Sequence, residues 1–361
     1  MREESPALEV ALSMLTLVPG GMGGSETYAR ELTRQLAKTP GVHTTAYVPA
    51  TAAGFSQDID ERSIGQVRGG GSTIERLSAI ASATLFAPLI RREMQSARVV
   101  HFPFTVSVPR PARGQAFVQT LLDVQHLDLP QLFSRAERAY RRHFYEGASR
   151  RADAIITISE FAKQRMVELL GLPADKIHVA HLAVDAKEFT ANLGPRENFV
   201  LYPARGWQHK NHRRLIEAMA IVRSRIPGIR LVLTGGGLDA LGELPDWVDR
   251  KGLVGFDELK NLYRTAAVLA FPSLYEGFGL PPLEAMSSGC PVAASNVGSI
   301  PEVCGTAAVL FDPLDIDSIA SGITDALDRR IELTAAGAAH VQNFTWERCR
   351  DAHLVVYRSV Q

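Results

Sequence analysis

Phe271-Pro272-Ser273-Leu274-Tyr275-Glu276-Gly277-Phe278-Gly279-Leu280-Pro281-Pro282-Leu283-Glu284-Ala285-Met286 is the stretch on which the fold turns. It grows out of Val268–Phe271, an apolar run of strand length. It ends in a segment whose Pro281 and Pro282 suit the first turn of a helix, where a missing N–H costs nothing. Gly289 suits that helix's C-terminal cap. Strand, glycine loop and helix in immediate succession make one step of a parallel α/β sheet, and such sheets bind ligands beyond the carboxyl ends of their strands. In that setting the amides of Gly277 to Leu280 meet polar oxygens. Glu276 at the loop's mouth and Glu284 in the helix accept hydrogen bonds in pairs, which suits the vicinal hydroxyls of a sugar or ribose. A capped turn with two solvated acids is the weaker reading.

The same alternation extends outward. Val10–Val18, Val99–Phe102, Ala154–Ile158, Phe199–Tyr202, Ile229–Leu233 and Val292–Ala294 read as strands buried on both faces. Ser25–Leu36, Phe161–Leu170 and His212–Arg225 read as amphipathic helices between strands. This pattern specifies parallel sheets covered on both sides. Periodicity breaks over Thr190–Arg196, where Gly194-Pro195 interrupts a polar, small-residue run. Residues 1–192 therefore read as one α/β domain and 196–344 as a second. Trp346 to Tyr357 has a helical pattern, with Trp346, Cys349, His353 and Val356 on one face.

Composition excludes several classes. The chain has 361 residues, enough for two domains. Its 39 basic and 39 acidic residues give a net charge of +0, against the basic excess of a nucleic-acid binder. With 46% hydrophobic and 22% charged residues, wholesale disorder is excluded. Three cysteines, Cys290, Cys304 and Cys349, cannot form a full disulfide framework and read as buried thiols. Val10–Val18 falls short of the ~20 residues of a spanning helix. Met1–Pro6 carries acids where a secretory leader carries bases, so the expectation is a cytoplasmic protein.

Two further places suit an anion. Gly20-Gly21-Met22-Gly23-Gly24 follows the first strand and opens a helix, where glycine lets the backbone approach a ligand and helix-start amides favour negative charge. A tight strand-to-helix turn without ligand is the alternative. The sequence is not the dinucleotide fingerprint, because Glu26 stands where the third glycine belongs. Arg205 and Lys210 flank a strand-to-helix junction in the second domain and read as a diphosphate clamp, Arg bidentate and Lys a point charge. Alone they would be a solvated basic loop; the acid-flanked glycine loop tips the reading toward function.

Together these residues resemble the retaining nucleotide-sugar glycosyltransferases of family four. Pro272 to Met286 is similar to the family's E-x7-E signature, with Glu276 and Glu284 as its acids. Gly289-Cys290-Pro291-Val292, Pro301-Glu302-Val303, Arg205 with Lys210, Gly255–Leu259, Gly23-Gly24 and Ser159-Glu160-Phe161 also fit. The resemblance implies the GT-B architecture: two Rossmann-like, doubly wound parallel-sheet domains facing across a cleft, the C-terminal helix crossing back to the first. Residues 1–192 with 345–361 would hold the acceptor and 196–344 the donor, with closing motion at Thr190–Arg196.

The resemblance also implies site roles. Arg205 and Lys210 would neutralise the donor diphosphate in the transition state. Glu284 would hold the ribose hydroxyls and Glu276, the other acid of the site, those of the transferred sugar. Gly277, Phe278, Gly279 and Leu280 would contact sugar and phosphate oxygens, Phe256 and Leu259 would lie at the base, and Gly23 and Gly24 would join the donor site. Such enzymes work without cofactor or metal, and no His/Asp cluster in the sequence has metal-ligand spacing.

One departure stands out. Where the family places a histidine before an aspartate, this chain has Leu122 before Asp123. His126 could supply the imidazole or pin the loop by hydrogen bonds; His101 is a second candidate. Six arginines, Arg135, Arg138, Arg141, Arg142, Arg150 and Arg151, crowd a helix with Tyr140, Phe144 and Tyr145. Related enzymes meet anionic membranes with such surfaces, although a solvated face balanced by Glu137 and Glu146 is the preferred reading. The function expected is sugar transfer from a UDP- or GDP-linked donor to a hydroxyl of a saccharide, glycolipid or natural product. The alternatives are a nucleotide-sugar epimerase on the same fold and a catalytically silent sugar-nucleotide-binding protein, the latter favoured only by Leu122.

Overall fold

The structure, a computed structural model, describes residues 7–361; Met1–Pro6, read above for its acids, lies outside them. The chain divides into two compact units. The first ends at His181 and resumes with Trp346–Gln361, and the second is Leu182–Thr345.

The first unit runs β1 (Leu8–Ser13), α1 (Gly24–Ala37), β2 (Val42–Pro49), β3 (Asp60–Ile64), α2 (Thr73–Leu85), α3 (Ala87–Glu93), β4 (Val99–Phe102), β5 (Ala116–Thr120), α4 (Gln125–Asp128), α5 (Arg135–Arg141), α6 (Gly147–Arg151), β6 (Ala154–Thr157), α7 (Glu160–Leu170) and β7 (Ile177–Val179). A π-helical turn over Arg142–Glu146 joins α5 to α6. The second unit runs β8 (Glu197–Pro203), α8 (His212–Arg225), β9 (Arg230–Thr234), β10 (Val248–Gly252), α9 (Phe256–Thr265), β11 (Ala266–Phe271), α10 (Leu280–Ser287), β12 (Val292–Ser295), α11 (Ile300–Cys304), β13 (Val309–Phe311), α12 (Ile316–Asp328) and α13 (Arg330–His340). Then α14 (Trp346–Ser359) returns to the first unit.

Both sheets are parallel. Their strand orders are β3-β2-β1-β4-β5-β6-β7 and β10-β9-β8-β11-β12-β13. Each order reverses direction once, between β1 and β4 in the first unit and between β8 and β11 in the second. A doubly wound sheet opens its ligand crevice at that reversal, outside the carboxyl ends of the two strands. The loops leaving β8 and β11 are those that carry Arg205–Lys210 and Glu276–Leu280. Central strands such as Val99–Phe102 and Ala154–Thr157 are buried at every residue, as expected of a sheet covered on both faces.

Some expectations need correction. β1 ends at Ser13, not Val18: Met14 N–H still reaches the Tyr47 carbonyl at 2.8 Å, but Leu17 N–H turns back to Met14 O. Met14, Leu15 and Leu17 stay buried outside the sheet, so their apolarity reflects core packing rather than strand. The sequence reading passes over β2, β3, β5, β7, β10 and β13. Of these, β3, β7, β10 and β13 are edge strands; β3 (DERSI) and β10 (VDRKG), open on one side, are free to be polar, and β7 and β13 are only three residues long. The compact units divide at His181/Leu182, before the 192–196 break, because the segment between packs on the second unit. Phe189 sets its ring edge-on to Tyr263 at 5.8 Å, and Asn192 N–H donates to Ser288 O. The buried face of α14 includes Trp346, Cys349, His353 and Val356. All three thiols are free and buried, and burial pushes each up to about 12. Among the described residues no helix is long and apolar enough to cross a membrane.

Candidate functional site

At the strand-order reversal of the second unit the loops after β8 and β11 are tied together. Leu274 N–H donates to His209 O at 2.8 Å. Asn211, in the left-handed region at φ 61°, sends its buried Nδ2 to Pro272 O at 3.1 Å and to Pro313 O at 2.7 Å. Asparagine tolerates that backbone better than most residues. Tyr202, buried at the end of β8, donates its hydroxyl to Lys210 O at 2.7 Å and lies 3.1 Å from Ser273 Oγ. These contacts fix the backbone under Lys210.

Across the gap Lys210 Nζ meets Glu276 Oε1 at 2.5 Å, each side chain only 14% exposed. The turn carrying Glu276 is held from beneath by Ser299, fully buried, whose Oγ lies 3.0 Å from Glu276 O and 2.7 Å from Phe278 O. Gly279 then enters α10 at φ 105°, a backbone that favours glycine, and a Cβ there would stand 2.5 Å from the end of the Ile300 side chain, which would have to shift. Among the described residues no side chain caps the start of α10. Arg205 is exposed, its guanidinium 5.3 Å from the ring centre of Trp207, and among the described residues it makes no ion pair. Its turn lies flat on a second glycine loop: a Cβ on Gly206 would stand 2.1 Å from Gly237 O, and Gly206 N–H donates to Gly236 O at 2.9 Å.

Glu284 sits half-buried in α10 and accepts the Tyr263 hydroxyl on Oε2 at 2.6 Å. Burial raises its pKa above the ordinary carboxylate value, and the tyrosine bond opposes the rise. Phe256, 53% exposed at the start of α9, packs edge-on against Phe189 with Lys260 Nζ 4.7 Å from its ring centre; Leu259 is half-buried one turn on. His209 and His212 beneath the cations are pushed down to about 4, chiefly by burial, with Lys210 adding to it, so both are neutral near pH 7. The sequence-derived residues Arg205, Lys210, Glu276, Gly277, Phe278, Gly279, Leu280, Glu284, Phe256 and Leu259 thus belong to one unit and one end of its sheet.

The remaining candidates lie in the first unit. Gly23 and Gly24 start α1 at the reversal between β1 and β4, but the loop's own Glu26 takes the Gly20 N–H at 2.8 Å. His126 is buried, its Nε2 3.3 Å from Glu146 Oε1 and its ring edge-on to Tyr145 and Phe133; Nδ1 has no hydrogen-bond partner among the described residues. This ties α4 to the π-helical turn. His101 lies fully buried between Thr120 and Tyr357, each 2.7 Å from one of its ring nitrogens. Of the arginine-rich helix, Arg141 stacks on Phe133 and Tyr145, and Arg135, Arg138, Arg142, Arg150 and Arg151 are exposed. Glu137 is engaged in capping Ser134 and Glu146 in holding His126.

Sequence reasoning misses Tyr202, Asn211, Tyr263, Ser299 and the Gly235-Gly236-Gly237 loop. The glycine triplet after a strand was a visible signal, and Tyr263 lies two helical turns from Phe256 on the same face. Tyr202, Asn211 and Ser299 act mainly on main-chain carbonyls, which side-chain patterns do not record.

Residues 184–340 match the family profile described as glycosyl transferases group 1, and residues 22–188 that described as Glycosyltransferase Family 4. O-antigen chain mannosyltransferase B of Escherichia coli is 31% identical over 274 residues, 69% of this chain and 71% of that one. D-inositol 3-phosphate glycosyltransferase of Mycolicibacterium smegmatis is 32% identical over 232 residues, 57% of this chain and 52% of that one. Among solved structures, sucrose-phosphate synthase from Thermosynechococcus elongatus superposes with a TM-score of 0.78 at 21% identity, covering 98% of both chains. Anabaena HepE in complex with UDP-glucose gives 0.72 at 16% identity, covering 98% of this chain and 100% of that one.

Proposed function

The chain belongs to glycosyltransferase family 4, and from that premise we propose that it transfers a sugar from a nucleoside-diphosphate sugar to an acceptor hydroxyl, with retention and without a metal. The observation that carries the reading is the Lys210–Glu276 contact spanning the loops after β8 and β11, where a doubly wound sheet receives its ligand. The named relatives act on sugars, and HepE is described with UDP-glucose.

In this reading Arg205 and Lys210 take the diphosphate, with the start of α10 adding its dipole. Glu276, released from Lys210 as the phosphate arrives, receives hydroxyls of the transferred sugar, and Glu284 those of the ribose. The bond from the anomeric carbon to the phosphate oxygen breaks as the acceptor oxygen adds on the same face. The departing phosphate takes the acceptor's proton, so neither acid serves as nucleophile. The cations stabilise charge that grows on the leaving group, which is where an electrostatic term accelerates a reaction.

Arg205→Ala, Lys210→Ala and Glu276→Ala are each expected to slow release of nucleoside diphosphate from UDP-glucose or GDP-mannose by about 10²-fold or more, the scale of losing one preorganised charge partner. Near-normal turnover in all three overturns the reading. An epimerase would instead return altered nucleotide sugar with no diphosphate released.

A further inference from the structure

Tyr263 is fully buried, and its hydroxyl makes one hydrogen bond, the 2.6 Å donation to Glu284 Oε2. The tyrosine is itself fixed. Its ring packs against Phe189 at 5.8 Å and 74°, and its carbonyl receives Arg196 Nη1–H at 3.2 Å. Glu284 extends from a helix of eight residues, and its second oxygen has no protein partner among the described residues. We propose that Tyr263 is a positioning residue for the nucleotide: it commits one oxygen of Glu284 to the protein and leaves the other as a preset acceptor for ribose hydroxyls. The inference rests on the reading of Glu284 as the ribose carboxylate.

Two physical consequences follow. An acceptor already held in one rotamer loses no side-chain freedom when the ligand arrives. The bond also opposes the proton uptake that burial encourages, keeping the carboxyl in the accepting form. Ribose is remote from the reacting carbon, so the contribution is to binding in ground and transition state alike and falls on KM rather than kcat.

The test compares wild type, Tyr263→Phe, Glu284→Ala and the double variant. It measures Kd for UDP, GDP and inorganic pyrophosphate by calorimetry, together with KM and kcat for donor hydrolysis. In Tyr263→Phe, Kd for the nucleoside diphosphate that wild type binds is expected to rise about tenfold, equivalent to about 1.4 kcal/mol. Donor KM rises in step and kcat changes far less. Pyrophosphate, which has no ribose, binds Tyr263→Phe as it binds wild type. In the Glu284→Ala background the second substitution adds less than about twofold, because the hydroxyl has no carboxylate left to hold.

Weak nucleotide binding in Glu284→Ala with normal binding in Tyr263→Phe overturns the inference and leaves the donor reading standing. Normal binding in Glu284→Ala, or no nucleotide binding by wild type, overturns both. Equal losses for nucleotide and pyrophosphate in Tyr263→Phe mark a merely structural role and also overturn it. Tyr263→Met, read the same way, replaces the phenylalanine variant if that does not fold.

Discussion

His353 Nδ1 lies 2.7 Å from the Cys349 carbonyl, which can only accept, so the ring's proton is on Nδ1 and Nε2 is an acceptor. That one fact orders a buried chain. Tyr28 must donate to His353 Nε2 (2.7 Å), Thr120 to Tyr28 (2.9 Å), His101 Nε2–H to Thr120 (2.7 Å) and Tyr357 to His101 Nδ1 (2.7 Å). The chain joins α14 to α1, β4 and β5, and it requires both histidines neutral. Burial supplies this, pushing His353 down to about 4 and His101 well below its ordinary value. In the unfolded chain a histidine titrates near 6.5, so between about 6.5 and 4 the unfolded state binds protons that the folded state refuses. Stability is therefore full above that window and falls as pH drops through it, which thermal unfolding from pH 7.5 to 4.5 should record; a flat profile refutes the assignment. Thr120→Val cuts the chain at its centre and strands a buried donor and acceptor. It should lower the unfolding free energy by about 2 kcal/mol, with a change below 0.5 kcal/mol counting against the network.

Between residues and the whole lies the strap from Phe189 to Arg196. Arg196 Nη1 donates to Tyr263 O (3.2 Å), Arg264 O (3.1 Å) and Ala266 O (2.9 Å), and Nη2 to Asn192 O (2.9 Å) and Ser288 O (3.1 Å). Most of these carbonyls close α9 and α10, whose last turns lack intrahelical partners and carry partial negative charge. One planar cation therefore caps two helices, the second of which carries Glu284. Arg196→Ala should cost about 3 kcal/mol in denaturant unfolding of the second unit, and Arg196→Lys should recover only part, since an ammonium lacks the fork. Full recovery by lysine would show that charge alone suffices. From the sequence this strap reads as a linker, because Gly194-Pro195 breaks periodicity, and a break says nothing about what the chain bonds to. Helix α8 and strand β11 were legible because their burial pattern is strong; β3 and β10 were not, because an edge strand need not be apolar. Glu276, Glu284, Arg205 and Lys210 were legible as charged residues at fixed spacing. Tyr263 was not legible as a partner for Glu284, since only the fold brings the two together.

At the scale of the molecule the two units differ in how the chain builds them. The second is one continuous segment, Leu182–Thr345, with its own sheet, its own core and every charged residue of the proposed donor site. The first is discontinuous and is completed by α14, which buries Trp346, Cys349, Leu354, Val356 and Tyr357 and both polar ends of the His101 chain. Burying a large apolar side chain stabilises by about 1.5–3 kcal/mol, so that face accounts for much of the 5–15 kcal/mol by which a domain is ordinarily stable. A protein ending at Thr345 should therefore lose the cooperative unfolding transition of the first unit while the second keeps its own. Residues 182–345 expressed alone should fold and bind nucleoside diphosphate within a few-fold of the whole chain, as read by circular dichroism and calorimetry. An unfolded 182–345 fragment would show that the second unit depends on the first. A first unit that still unfolds cooperatively without α14 would show that the buried face and its hydrogen-bonded chain contribute far less than their burial implies.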